Sequence, residues 1–157
     1  MPEALGLGLI QIDPQRGAGW RAREIQDIAR AAENAGFEAA FCAEVNNDAI
    51  ASAALMGLAT SRLKVGTWVA HIYLRLPYQC AKAAALAADA TGGRFILGLG
   101  VSHQPVNRAL GIDMPNPSAA LRDYATEVGS WLRAEGPPRR ICRSNPLPIR
   151  CRSIWPH

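Results

Sequence analysis

Glu44, His71 and His103 are the side chains of this 157-residue chain best suited to moving a proton. An imidazole titrates near neutrality and works as acid or base, and a carboxylate beside it can hold or take the proton. Each of the three follows a short apolar run: Phe37 to Ala43, Leu63 to Ala70, and the run that ends at Val101. Gln11 and Asp13 close a fourth such run, and Asn46, Tyr73, Ser102 and Gln104 complete the polar set. Any one of these polar residues is what a solvated loop or a helix cap carries anyway. The combination of one carboxylate with two imidazoles is what points to chemistry.

The stretch from Gly92 to His103 couples a helix stop, an apolar run of strand length and a glycine-bearing turn. An apolar run this short, bounded by glycines, suits a strand buried on both faces. Gly98 and Gly100 lack a Cβ, so the backbone there can pass close to another group, as near a ligand; tight packing of neighbouring side chains is the other reading.

The elements that must position these residues alternate along the chain. Leu5 to Ile12 reads as a first strand, and Ile25, Ile28, Ala29 and Ala32 recur on one face of a helix that Gly36 stops. Phe37 to Ala43 is the second strand. Asn47 is placed to cap a second helix whose inner face is Ile50, Ala53, Ala54, Gly57 and Leu58. Leu63 to Ala70 is the third strand. Pro77 fits the first turn of a third helix carrying Cys80, Ala81, Ala84, Ala85 and Ala88, closed by Gly92 or Gly93. After the fourth strand, Asn116-Pro117 opens a last helix with Leu121, Tyr124, Ala125, Val128 and Leu132 inward, ended by Gly136-Pro137.

Four strand–helix units in strict alternation predict an α/β fold with parallel strands and right-handed crossovers. An open doubly wound sheet and a (β/α)8 barrel both satisfy the pattern. In either, residues just past the C-terminal strand ends share one rim, where active sites of such folds are built.

Composition narrows the class. With 49% apolar and 19% charged residues the chain can bury a core. No apolar run approaches the roughly 20 residues that cross a bilayer, and the N-terminus lacks a secretory pattern, so a cytoplasmic protein without membrane contact is expected. Cys42, Cys80, Cys142 and Cys151 form no CxxC pair, which predicts neither a metal site nor a disulfide framework. All 13 acidic residues precede Gly136, whereas five of the 17 basic ones follow it. The sequence pI near 9.2 is therefore a property of the tail, residues 137–157, which holds five of the 11 prolines and has no helical or strand period. Nucleic-acid binding is not expected, because aromatic residues do not interleave the tail's arginines.

Ala35-Gly36-Phe37 with Glu44, then Ser61-Arg62-Leu63-Lys64-Val65-Gly66-Thr67, then Ala87 through Thr91-Gly92-Gly93-Arg94-Phe95-Ile96-Leu97-Gly98-Leu99-Gly100 resemble the luciferase-like monooxygenase superfamily, particularly its deazaflavin (coenzyme F420)-dependent branch. The resemblance covers roughly residues 5 to 135. It implies a TIM (β/α)8 barrel with a deazaflavin at the C-terminal rim, or FMN as the alternative, exchanging hydride with a small organic substrate. It also implies that Thr67, Trp68 and Val69 lie against the ring, at a place where such proteins often carry a non-proline cis peptide. Gly100 and Ser102 join them as cofactor-binding residues. His103 and Glu44 are implied as the catalytic groups, with His103 first for proton transfer or else a hydrogen-bond donor to the ring or to a helix end, and Gln11 and His71 face the substrate.

A (β/α)8 barrel takes about 250 residues. Residues 1–136 hold about four βα units, the N-terminal half of such a barrel, and 137–157 read as an irregular Pro/Arg-rich tail of the kind a shifted reading frame yields. A partial barrel leaves bare strand edges, so self-association through them is expected. Two further readings are a non-catalytic half-barrel remnant or partner-dependent subunit, and a Rossmann-like nucleotide binder using Gly98-Leu99-Gly100 or Gly6-Leu7-Gly8. The latter lacks the third glycine, for which His103 and Gln11 stand.

Overall fold

Row by row across the sheet, small and large residues alternate between two faces, and this alternation explains the fold. In a computed structural model, which describes residues 5–10 and 18–133, four strands lie in sequential order and pair in parallel. These are β1 (Gly6–Leu9), β2 (Ala39–Cys42), β3 (Lys64–Thr67) and, past a two-residue β4 (Ala70–His71), β5 (Phe95–Ile96). The row Leu7, Ala40, Val65, Phe95 turns towards the helices, where Ala40 and Val65 are fully buried. The next row, Gly8, Phe41, Gly66, Ile96, turns the other way. There the Phe41 ring lies so close to Gly66 that a Cβ on that glycine would sit 3.0 Å from it. On this inner face the Trp68 indole lies over Gly8, and Ile96 is 43% exposed.

The helices form one outer layer: α1 (Ala22–Asn34), α2 (Ala49–Leu58), α3 (Pro77–Ala90) and α5 (Pro117–Leu132), each packed on the next. Strands in sequence order with every helix on one face are the wall of a partial (β/α)8 barrel, since a doubly wound sheet reverses its strand order and covers both faces. Ile25, Ala29 and Ala32 of α1 are buried as their spacing predicts, and Gly36 stops the helix with a φ of 86°. Gly92 and Gly93 end α3 in the same left-handed region.

Five details differ from the sequence reading. Asp48, not Asn47, caps α2, its Oδ1 accepting the Ala51 N–H at 2.9 Å. Asn47 instead pins Trp20, accepting its N–H and donating to its carbonyl. Leu58, at 61% exposure, faces outward, because the ten-residue α2 is apolar all round and its period does not mark a face. Ala85, Ala125 and Leu132 are likewise exposed, at the margins of their helical stripes. The third and fourth strands each break, the third at Trp68-Val69 and the fourth at Leu97-Gly98, giving β4 and a β6 (Leu99–Gly100) that pair with each other. A short helix α4 (Gln104–Ala109) follows β6. Gln11, Asp13 and the tail 137–157 lie outside the described residues.

At the end of the wall opposite the rim, the Glu33 side chain closes the turn that leads into β3. Glu33 accepts the backbone N–H groups of Ser61, Arg62 and Leu63 at 2.6 to 3.0 Å. The Arg62 N–H foremost, with those of Leu63 and Ser61, holds the Glu33 carboxyl below its ordinary value of 4.5, outweighing the opposing effect of burial. A carboxyl lowered on folding stabilises above its unfolded pKa and loses that contribution as pH falls through its folded value. Glu33→Gln, which keeps an acceptor but no charge, is therefore expected to cost about 1 kcal/mol at neutral pH after solvent screening. In urea titrations the gap between parent and variant should close in acid; a gap that does not depend on pH would refute this account.

Candidate functional site

All the strands point the same way, so their C-terminal ends meet at one rim. Where β3 breaks, the Thr67 hydroxyl takes over the ladder: it donates to the Gly98 carbonyl at 2.7 Å and accepts the Gly98 N–H at 2.9 Å. Thr67 is buried by this role. The Trp68–Val69 peptide bond is cis. Trp68, 66% exposed, lays its indole over β1, so that a Cβ on Gly8 would come within 2.6 Å of its Cζ3. Val69 packs on Gly100, where any added Cβ would strike it. The close approach foreseen at Gly98 and Gly100 is thus to the backbone of Thr67 and the side chain of Val69.

Glu44 is 9% exposed, and both of its oxygens are engaged. Oε2 accepts the His71 N–H at 2.6 Å, and Oε1 pairs with the Arg75 guanidinium. Arg75, itself 13% exposed, reaches Asp48 Oδ2 at 3.2 Å as well, and its carbonyl accepts the Tyr124 hydroxyl.

His71 is buried, with both ring nitrogens partnered. Nδ1 accepts the Tyr73 N–H at 3.2 Å, so the proton sits on Nε2 and is donated to Asn107 Oδ1 at 2.6 Å. Asn107 in turn donates to the Val101 carbonyl at 2.7 Å. Ser102 follows with a φ of 62°, a region a serine occupies only when its surroundings hold it there. His103 then stands exposed as the residue before α4, its carbonyl accepting the Asn107 N–H.

Hydrogen bonds therefore join Glu44 to the His71 backbone, and the His71 ring through Asn107 to the carbonyl two residues before His103. Thr67, Trp68, Val69 and Gly100 gather at the paired breaks in the strands. Asp48, Arg75 and Asn107 are absent from the sequence reading. Asn107 lies four residues after His103, on the same face of a helix that Gln104-Pro105 could have announced. Nothing in the spacing of Arg75 ties it to Glu44, which is 31 residues away.

The cysteines near the site are inert. Burial pushes the Cys42 thiol up to about 12 and also raises that of Cys80. Among the described residues no cluster of His, Cys, Asp or Glu could hold a metal, and no helix is long and apolar enough to cross a membrane. Gly98-Leu99-Gly100 straddles a strand break instead of opening a helix, unlike the phosphate turn of a dinucleotide site.

Comparison with known proteins adds three findings. A family model described as luciferase-like monooxygenase matches residues 6–139. A Mycobacterium tuberculosis protein named as a candidate coenzyme F420-dependent oxidoreductase is 39% identical over 123 residues, 75% of this chain and 35% of that protein. Among solved structures, a coenzyme F420-dependent tetrahydromethanopterin reductase from Methanopyrus kandleri superposes with a TM-score of 0.70 at 22% identity, over 81% of this chain and 39% of its own. An FMN-bound Baeyer-Villiger monooxygenase component from Pseudomonas putida does so at 0.64 and 18% identity, over 79% and 38%. The chain thus spans little more than a third of each.

Proposed function

The chain belongs to the luciferase-like monooxygenase family, and from that premise we propose that it supplies one wall of a site for coenzyme F420, which exchanges hydride with a small organic substrate. FMN is the alternative, favoured by the FMN-bound neighbour from Pseudomonas putida. The observation that carries the reading is the paired strand break at the rim. Exposed Trp68, Val69 against Gly100 and the glycine-floored row Gly8, Phe41, Gly66, Ile96 offer a flat apolar bed that fits a planar ring.

When bound, the deazaflavin supplies the hydride chemistry. On this reading Trp68, Val69 and Gly100 seat the ring, Thr67 holds the break open beneath it, and Ser102 faces its polar edge. His103, exposed at the rim, gives or takes the substrate proton. Glu44 stands behind it as the buried anion of the rim, and Gln11 and His71 border the substrate side. The bare edges of β1 and β5 and the exposed inner face support self-association of the chain as it stands.

Titrating the purified chain with oxidised coenzyme F420 and separately with FMN tests the reading. A change in the ring's absorbance, with binding heat, is expected for coenzyme F420. Absence of both signals with both cofactors overturns it. Light scattering on the same sample is expected to give a mass above one chain.

A further inference from the structure

Asn107 is 1% exposed and uses both ends of its carboxamide. Its oxygen accepts the Nε2–H of His71, and its nitrogen donates to the Val101 carbonyl and to Met114 Sδ. Its backbone is engaged too: the N–H reaches the His103 carbonyl at 3.0 Å, and the carbonyl accepts the Ile112 N–H at 2.8 Å. These bonds, with the Leu110 N–H on the same carbonyl, tie one side chain and its peptide to β4, to the end of β6, to His103 and to the loop after α4. Between the two tied points, Val101 and His103, lies Ser102 with its left-handed φ.

We infer that Asn107 is the positioning residue of this site, setting Ser102 and His103 on the rim by gripping Val101 on one side and His71 on the other. The inference rests on the proposed ring site for its functional consequence, but not for its geometry. The side chain must donate and accept at once over a short reach. Asp lacks the donor, Leu lacks both groups, and Gln is one methylene too long. His71 then acts through Asn107: its tautomer is set by the Tyr73 N–H, which leaves Nε2–H as the one proton to offer.

Nitrogen-15 spectra of the labelled chain, without cofactor, read the grip directly. His71 is expected as the Nε2–H tautomer, and the Nδ1–H tautomer in the parent overturns the inference. Asn107→Asp puts a carboxylate on the His71 ring and removes the donor to Val101. The amide signals of Val101, Ser102 and His103 should then shift while those of β1 to β3 stay. The other groups around the ring, Glu44 at its backbone N–H, Tyr73 against its edge, Arg75 beyond Glu44 and Asp113 near Tyr73, are common to both proteins. An Asp variant in which the three amides do not move overturns the inference.

Asn107→Leu is expected to weaken coenzyme F420 binding by about tenfold or more, with the amide signals of β1 to β3 retained; unchanged binding overturns the positioning role. If the parent binds no cofactor, the proposed function fails, and the tautomer and Asp results still decide the role of Asn107.

Discussion

Arg75→Ala is expected to cost the folded chain about 3–5 kcal/mol, because it strands the Glu44 carboxylate in a place water barely reaches. Glu44 is 9% exposed, and its remaining partner, the His71 N–H, cannot balance a full charge. Asp48 also loses its cation, but at the surface this matters little. The control is the double variant Arg75→Met with Glu44→Gln. It removes both charges, keeps an acceptor for His71 and fills the volume, so it should recover most of the loss. Recovery is favoured further because the pair is imperfectly satisfied: Arg75 Nε is buried with no hydrogen-bond partner. Urea unfolding at neutral pH measures both. If Arg75→Ala loses less than about 1 kcal/mol, the pair behaves as a surface ion pair and the buried-charge account fails.

The second large effect lies at the opposite end of the wall. Arg94 spreads its guanidinium over the last turn of α2, donating to the Gly57 and Thr60 carbonyls at 2.9 and 3.0 Å and to the Leu63 carbonyl at 2.7 Å. The Gly57 and Thr60 carbonyls lie at the end of α2, where the helix ladder runs out and the negative end of its dipole sits; the Gly57 carbonyl is also met by the Thr60 N–H at a long 3.4 Å. Arg94→Ala should cost about 2–4 kcal/mol. Arg94→Lys should recover less than half, since a single ammonium cannot span three acceptors held by a planar fork. Thermal unfolding of the three proteins checks this, and a Lys variant equal to the parent would show that charge alone matters.

Glu33 and Arg94 also give the segments Ser61 to Thr67 and Thr91 to Gly100 a structural role. The first presents backbone donors to Glu33 and the second brings the guanidinium that closes α2. The residues of the rim were legible to a different degree. Glu44, His71 and His103 stand at strand ends as alternation alone requires, but their surroundings were not legible. Burial of Glu44 depends on Arg75, 31 residues away, and the orientation of His71 depends on Asn107, 36 residues away. Pairings at such separations leave no periodic trace.

Local chemistry accounts for the helix stops. Gly36, Gly92 and Gly93 adopt left-handed angles at positions where they end their helices, a conformation that costs other residues more. Local patterning misled where an element is short or uniformly apolar: Leu58 faces water, and two strands read as continuous are each broken at the rim.

Alternation of apolar runs with helical stripes was enough, on the amino-acid order alone, to require parallel strands, right-handed crossovers and a polar rim at the C-terminal strand ends. It could not choose between a doubly wound sheet and a barrel, because both are built from the same unit and differ only in the direction the next strand takes. Tertiary packing made that choice. The rows Leu7, Ala40, Val65, Phe95 and Gly8, Phe41, Gly66, Ile96 form only when strands sit in sequence order, which puts every helix on one face and leaves the other as the inside of a barrel.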